Sequence, residues 1–140
     1  MVKSKKQTMT KRLTNTNYPV GDFLIRIKNL ARTDKDELSV SSTKLIFALA
    51  KALEAERFLQ EVKLTEGNLT MKLGKAYKKP ILIDLKLVSK PGLRIYATVD
   101  QMKAKKTASS MLIVSTPKGI MSSKKAVKAN MGGEVIAEIW

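Results

Sequence analysis

The spacing of the apolar residues changes along the chain, and this change constrains the fold more than any other feature of the sequence. Apolar residues recur at helical spacing between residues 20 and 31 and again between residues 45 and 53. They alternate with polar residues between residues 62 and 73 and over most of the chain after residue 81. Helical spacing is typical of amphipathic helices, whereas alternation is typical of half-buried strands. We therefore expect an α+β fold.

The predicted elements fall into two small subdomains. The first, residues 18–76, contains a helix, the strand ELSV, a second helix and a hairpin in VKLTEGNLTMKL. Ser41 or Ser42 is expected to cap the second helix, and GKAYKKP has the composition of a linker. The second subdomain, residues 77–140, is β-rich, with strands predicted in ILIDLKLV, LRIYATV, MLIV and EVIAEIW and a short helix in SSKKAVKAN. The apolar stripe of the second helix is predicted to consist of Leu45, Ala48, Leu49, Ala52 and Leu53.

The balance of charge predicts a polyanionic partner. The chain has 27 Lys and Arg against 12 Asp and Glu, a net charge of +15, yet 44% of its residues are hydrophobic and can build a core. A folded domain this basic indicates nucleic acid first and an anionic membrane surface second. The alternative is a solvated basic surface. Residues 1–17 carry five basic residues and no acid, so we expect a flexible basic arm there.

The residue types that the chain lacks exclude several kinds of function. There is no Cys and no His, so disulfides, zinc sites and the commonest general base are excluded. Asp84 has no second acid placed to work with it, and no glycine-rich segment has P-loop spacing. We expect no enzyme activity, no metal, no cofactor and no small-molecule substrate. The sequence also has no run long enough to span a bilayer and no basic amphipathic helix with large apolar residues, so we expect a cytoplasmic protein without a membrane partner.

The segment STPKGIMS, residues 115–122, is the first candidate binding site. Ser115, Thr116 and Ser122 offer hydroxyl groups, Gly119 allows close approach of another backbone, and Pro117 stiffens the segment. Together with Lys118 these groups form a donor-rich surface without carboxylates, which suits the phosphates, sugars and base edges of RNA. An ordinary strand-to-helix turn is the alternative, since Ser, Pro and Gly are turn residues.

The short helix that follows begins with positive charge. Ser122 or Ser123 can cap it, and Lys124 and Lys125 then lie in its first turn, where the helix dipole already disfavours cations. A bound phosphate would reverse this cost. The alternative is that both lysines extend into water.

Two further segments have a structural and a functional interpretation. In NMGGE, Asn130 and the glycines can end the helix in a left-handed turn, while Gly132 and Gly133 also let another backbone lie alongside; Glu134 could accept a hydrogen bond from a base or pair with a lysine. In SKPGLRIY, Arg94 and Tyr96 alternate with apolar residues, so they could contact RNA by stacking and charge or belong to an edge strand.

The sequence resembles the small-subunit ribosomal protein S-eight family. YPVGDFLIRIKN, SSTKLIFALAKALEAERFL, SKPGLRIY and IVSTPKGIMS followed by GGEVIAEIW are similar to family segments in the same order, from about residue 18 to residue 140. The resemblance implies a two-subdomain protein of the cytoplasmic ribosome. It further implies binding to a stem with an irregular internal loop in the central domain of small-subunit ribosomal RNA, and an early role in assembly beside neighbouring ribosomal proteins.

By this resemblance most specific contacts come from the C-terminal loop and the Gly-Gly-Glu segment. They carry over to Ser115, Thr116, Lys118, Gly119, Met121, Ser122, Gly132, Gly133 and Glu134, with Tyr96 on the strand and Asp22, Arg26 and Asn29 on the first helix. Pro117 stands where the family usually has Ser. The alternative function is a free RNA-binding translational repressor that acts on an mRNA stem, such as that of its own message.

Overall fold

A computed structural model describes residues 18–76, 79–104 and 110–140, and in these residues helices pack on antiparallel sheets. The α+β prediction is confirmed. The predicted arm, residues 1–17, lies outside the described residues. We call residues 18–76 the N-terminal part and the described residues from 79 onward the C-terminal part; the boundary between them stays a prediction.

The helices and strands follow one another in an order close to the predicted one. They are α1 (Pro19–Leu30), β1 (Glu37–Ser41), α2 (Lys44–Ala55), β2 (Leu59–Thr65), β3 (Asn68–Leu73), β4 (Lys75–Ala76), β5 (Lys79–Pro80), β6 (Leu85–Leu87), β7 (Tyr96–Ala97), α3 (Val99–Ala104), β8 (Met111–Thr116), β9 (Gly119–Ser122), α4 (Ser123–Lys128) and β10 (Gly133–Ile139).

Helix α2 begins later than the sequence predicts, and three residues of its predicted apolar stripe, Leu49, Ala52 and Leu53, are buried. Its cap is Thr43, whose hydroxyl accepts a hydrogen bond from the Ile46 N–H at 3.2 Å, and not Ser41 or Ser42. Leu45 is 49% exposed. The stripes beginning at residues 45 and 46 both fit helical spacing, so packing decides between them. The buried residues of the helix are Ile46, Leu49, Ala50, Ala52 and Leu53.

The N-terminal sheet has the strand order β1-β3-β2, and its β2–β3 pair is the predicted hairpin. Glu66 and Gly67 form the turn with φ angles of 48° and 83°, as tight hairpin turns require. The segment interpreted as a linker pairs with itself, because β4 and β5 are antiparallel and the Ile81 N–H donates to the Gly74 carbonyl. The linker interpretation is therefore wrong for the described residues.

The C-terminal sheet has the strand order β6-β10-β8-β9, and β7 also pairs with β10. Two predicted strands are shorter than expected: regular strand is limited to β7 within LRIYATV and to β6 within ILIDLKLV. After β7 the chain turns into α3 because Thr98 and Gln101 form a reciprocal capping box, in which each side chain accepts from the other's backbone N–H.

One apolar core extends across the predicted boundary. It joins Leu24 and Leu53 of the N-terminal part to Leu85, Ile113 and Ile139 of the C-terminal part. A second cluster lies within the C-terminal part, between the sheet and helices α3 and α4, and consists of Met102, Leu112, Val114, Ala126 and Val135. The shared core fixes the β8–β9 region against the N-terminal helices.

Candidate nucleic-acid interface

The segment STPKGIMS forms a β-hairpin, which corrects the strand-to-helix turn considered from the sequence. Strands β8 and β9 pair from Ile113 opposite Ser122 to Thr116 opposite Gly119, and Pro117 and Lys118 form the turn. Gly119 has a φ of 122°, which favours glycine, and a Cβ there would meet nothing within 4 Å. The hairpin tip is therefore open to solvent and its backbone can be approached closely.

The Thr116 hydroxyl is used inside this turn. Its Oγ1 donates to the Gly119 carbonyl at 2.8 Å and accepts from the Lys118 N–H at 3.2 Å, while the residue is only 8% exposed. The hydroxyl that the sequence placed on the binding surface instead holds the turn in shape. Pro117 and Lys118 are exposed at the tip, so they remain open to a partner.

Ser122 is likewise internal. It is 1% exposed, its Oγ donates to Glu56 Oε2 at 2.8 Å, and it accepts from the Lys125 N–H as the cap of α4. This confirms Ser122 as the cap. The carboxylate of Glu56 therefore lies beside the start of α4, where the sequence led us to expect a bound phosphate. Lys124 and Lys125 stay exposed, and Met121 is half-buried against the second core cluster.

Both glycines of the Gly-Gly-Glu segment lie against the protein's own backbone. A Cβ on Gly132 would come within 2.6 Å of the Ala97 carbonyl oxygen, and one on Gly133 would overlap the Ser115 carbonyl oxygen. Asn130, with a φ of 57°, ends α4 in the predicted left-handed turn. The glycines therefore serve strand packing, and their predicted contact with RNA is not required to explain them.

Arg94 and Glu134, both predicted to contact RNA, bind each other. Arg94 Nη1 donates to Glu134 Oε2 at 3.1 Å, and its guanidinium lies 5.7 Å from the centre of the Tyr18 ring. Tyr18 donates to the Ser89 carbonyl at 2.6 Å. Burial raises the pKa of Tyr18, Arg94 opposes this and Glu134 adds to it. Arg94 is still half-exposed, so it can turn part of its donor surface to a ligand.

Buried Ser89 shapes the SKPGLRIY segment. Its Oγ accepts from the Ile95 N–H at 2.9 Å and donates to the Ile95 carbonyl at 3.2 Å. Lys90 and Leu93 bridge across the Pro-Gly turn. This arrangement leads into β7 and leaves Tyr96 67% exposed, which agrees with the predicted outward direction of that side chain.

The strand register brings three candidate residues into one row. Tyr96 lies opposite Glu134 across the β7–β10 pair, and Glu134 lies opposite Ser115 across the β10–β8 pair. Directly paired residues present their side chains on the same face of a sheet. Tyr96, Glu134 and Ser115 therefore share a face, and the Pro117–Lys118 tip lies just beyond Ser115.

The candidates on α1 belong to a different surface. Arg26 and Asn29 are exposed and Asp22 is half-buried, but α1 packs against α2, β1 and β6. Asp22 and Arg26 line a cleft with Ser41 and Thr43. The structure does not bring these residues into the row formed by Tyr96, Glu134 and Ser115.

The charge around the C-terminal candidates is one-sided. In the sequence, no acid occurs between residues 101 and 131. Within the described parts of the chain, Lys118, Lys124 and Lys125 take part in no ion pair, whereas the N-terminal part pairs Lys51 with Glu54 and Lys72 with Glu61. An unpaired set of lysines beside neutral donors attracts phosphates.

No helix in residues 18–76, 79–104 and 110–140 is long and apolar enough to cross a membrane. No group of three or more His, Cys, Asp or Glu side chains in them is placed to hold a metal ion.

A folded, basic α+β protein with this surface belongs to the nucleic-acid-binding class, and comparison with known proteins defines the family. The family model described as Ribosomal protein S8 matches residues 18–140. The small ribosomal subunit protein uS8 of Sulfurihydrogenibium sp. is 35% identical over 132 residues, covering 87% of this chain and 97% of the relative. That of Janthinobacterium sp. is 36% identical over 125 residues, covering 86% and 95%. The chain belongs to the ribosomal protein S8 family.

Family membership confirms the resemblance noted from the sequence and places the chain among ribosomal proteins, not enzymes. Two residues of the site were missed as contributors. Tyr18 was not named as a candidate, although Tyr before Pro at a helix start offers a ring that can pack on the rest of the chain. Glu56 gave no local signal, because its partner Ser122 is 66 residues away.

Proposed function

We propose that the chain, a structural constituent of the small ribosomal subunit, is a primary binder of ribosomal RNA that recognises a stem with an irregular internal loop in the central domain. It acts early in assembly of that domain, in the cytoplasm, beside neighbouring ribosomal proteins. The proposal goes beyond family membership in naming the RNA element and the order of binding.

The row of Tyr96, Glu134 and Ser115 is the observation that carries the proposal. Tyr96 offers an exposed ring on which an unpaired base can stack. Glu134 offers a carboxylate oxygen to a base amino group, and the hairpin tip beyond Ser115 offers the Lys118 ammonium group to a phosphate. An irregular internal loop presents displaced bases next to phosphates, so it matches this arrangement of ring, carboxylate and cation better than a regular duplex does.

The lysines around the row have a separate role. Lys118, Lys124 and Lys125 supply affinity for phosphates without reading sequence. Specific recognition then depends on the row and on the shape of the hairpin tip, and overall affinity depends on the lysines.

Crosslinking in cell lysate, followed by sequencing of the attached RNA, tests the target. We expect crosslinks concentrated in one stem of the central domain of small-subunit ribosomal RNA. Recovery of free mRNAs in place of ribosomal RNA would favour a translational repressor and overturn the proposal.

Binding by the purified chain tests the order of assembly. A transcript of that stem should bind the protein without any other ribosomal protein, and should bind more tightly than an unrelated duplex of equal length. A requirement for a second ribosomal protein would contradict the role of primary binder.

A further inference from the structure

A buried hydrogen bond joins the N-terminal part to the start of helix α4. Ser122 Oγ donates to Glu56 Oε2 at 2.8 Å, and Ser122 Oγ also accepts from the Lys125 N–H at 3.4 Å. Ser122 is 1% exposed and Glu56 is partly exposed, so water has little access to the hydroxyl itself. The carboxylate of Glu56 therefore controls the geometry of this hydroxyl.

Ser122 is the joint between the hairpin and the helix. It is the last residue of β9 and the cap of α4, with no residue between the two elements. Lys118 lies at the hairpin tip, and Lys124 and Lys125 lie in the first turn of α4. A change at Ser122 would therefore alter the angle between two groups of lysines that face the same partner.

Glu56 is held firmly by its own surroundings. It follows the last residue of α2, and its backbone N–H donates to the Ala52 carbonyl. Next to it, Arg57 adopts a φ of 71°, and the Arg57 carbonyl lies so close to Gly74 that a Cβ there would overlap it. The carboxylate thus extends from a fixed point in the N-terminal part, not from a mobile loop.

We propose that Glu56 is a positioning residue for RNA recognition, which orients the β8–β9 hairpin relative to α4 through Ser122. The inference rests on the proposed function and deepens it, because it assigns a specificity role to a residue of the N-terminal part that does not touch RNA. Glu56 is partly exposed and lines a cleft between α2 and β9 together with Ser122 and Lys125.

The expected effect follows from population arithmetic. Without the hydrogen bond the joint adopts other angles, and only a fraction of molecules hold both lysine groups and the hairpin tip in the arrangement that fits the stem. If that fraction falls to about a tenth, the apparent Kd for the stem rises about tenfold. An unrelated duplex, bound by charge alone, does not depend on the angle.

The experiment compares full-length variants on two RNAs, a transcript of the central-domain stem and an unrelated duplex of equal length. We expect Glu56→Ala to raise Kd for the stem about tenfold and to leave Kd for the duplex and its salt dependence close to wild type. Glu56→Gln keeps an acceptor oxygen and should restore most of the affinity. Glu37→Ala removes the same charge from exposed β1 and serves as the matched control, with no selective loss.

A double-mutant cycle tests whether the two residues act through each other. Ser122→Ala removes this bond and also the cap of α4, so its own loss can exceed that of Glu56→Ala. Adding Glu56→Ala to Ser122→Ala should cost no further selective affinity, because the bond between the two residues is already gone. Affinities are compared below the unfolding transition and scaled to the folded fraction, so that instability alone does not count. Additive losses, or equal losses on both RNAs, would overturn the inference.

The inference and the proposed function fail in different ways. If the wild-type chain does not prefer the stem over the duplex, the proposed function is wrong. If the wild type prefers the stem and Glu56→Ala retains that preference, only the role of Glu56 is wrong.

Discussion

Two tight hairpins, β2–β3 and β8–β9, have the same backbone arrangement but differ in how their turns are closed and in the charge around them. Both are antiparallel with a two-residue turn. The β2–β3 turn is made by Glu66 and Gly67 in positive φ, so backbone conformation alone closes it. The β8–β9 turn, Pro117 and Lys118, is held by the hydroxyl of Thr116.

The surroundings of the two hairpins differ in charge. In the first, Lys72 pairs with Glu61 and the turn itself carries an acid, Glu66. In the second, the turn carries Lys118, and the nearby acid Glu134 is paired with Arg94. The difference teaches that the hairpin fold does not itself define a binding surface. A surface arises where unpaired cations, a side-chain-braced turn and a neighbouring exposed ring coincide.

The largest expected effect comes from the glycines. Gly133→Ala places a Cβ against the Ser115 carbonyl, a backbone atom that cannot move without separating β8 from β10. We expect a loss of about 3 kcal/mol in the free energy of unfolding. Gly67→Ala in the first hairpin meets open space and suffers only from its φ of 83°, so about 1 kcal/mol is expected. Urea unfolding measures both, and equal losses would contradict the packing role of Gly133.

Tyr96 distinguishes the two regions in RNA binding. Tyr96→Ala should weaken binding to the central-domain stem by about 1–3 kcal/mol, as loss of base stacking does, and should leave the thermal midpoint nearly unchanged because the side chain is exposed. Leu64→Ala removes an exposed apolar side chain from the β2–β3 hairpin and is the control, with no change in affinity. A lower midpoint for Tyr96→Ala with unchanged affinity would make Tyr96 a structural residue.

Thr116 tests the brace on the second turn. Thr116→Val keeps the side-chain shape but leaves the Lys118 N–H and the Gly119 carbonyl without their partner. We expect a loss of about 1–2 kcal/mol in unfolding free energy and a matching loss of preference for the stem, since the tip loosens. Thr65→Val, at the same place before the first turn, is exposed and should cost little. If the two variants unfold alike, the hydroxyl does not brace the turn.

Much of the fold could be predicted from local patterns. The alternation through the β2–β3 hairpin and Asn130 after α4 are signals contained within a few residues, and both predictions are confirmed. The stripe predicted for α2 is confirmed at its C-terminal end and wrong at Leu45, because helical spacing fits both Leu45 and Ile46 and only packing selects Ile46. Helix α3 was missed although Thr98 and Gln101 form a recognisable capping signature.

The site was predicted less completely because its hydrogen bonds are long-range. Lys118 lies at the exposed tip of STPKGIMS and Tyr96 is exposed, whereas the hydroxyls of Thr116 and Ser122, expected on the binding surface, are buried. No spacing rule could show that Ser122 would be buried against Glu56, or that Arg94 and Glu134 would satisfy each other. Where a side chain has several possible partners, only the strand register of the folded protein decides which of them it binds.

Removal of lysines from the two regions should change the salt dependence of RNA binding by different amounts. Lys124→Gln combined with Lys125→Gln should make the dependence of log Kd on log salt shallower, by up to about one unit per lysine, equally on the stem and on an unrelated duplex. Lys63→Gln with Lys72→Gln removes as many charges from the first hairpin and should change the slope less. Equal slopes for both pairs would place the RNA surface over the whole molecule.

The smallest expected effect is that of Asp84. Like Glu56, Asp84 joins the two parts of the molecule, but it does so through ion pairs. Asp84 is 35% exposed, and Leu85 N–H donates to its carboxylate while Lys28 and Arg32 pair with it; in that order these contacts lower its pKa. A carboxyl whose pKa falls on folding stabilises the protein above the unfolded pKa, and this contribution is lost as pH falls through the folded value. The difference in thermal midpoint between wild type and Asp84→Asn should therefore be largest near neutral pH and shrink as pH drops below about 4.

Asp34→Asn, in the exposed loop after α1, is the control and should follow wild type at every pH. A difference that persists unchanged into acid would show that packing around residue 84, not its charge, joins α1 to β6.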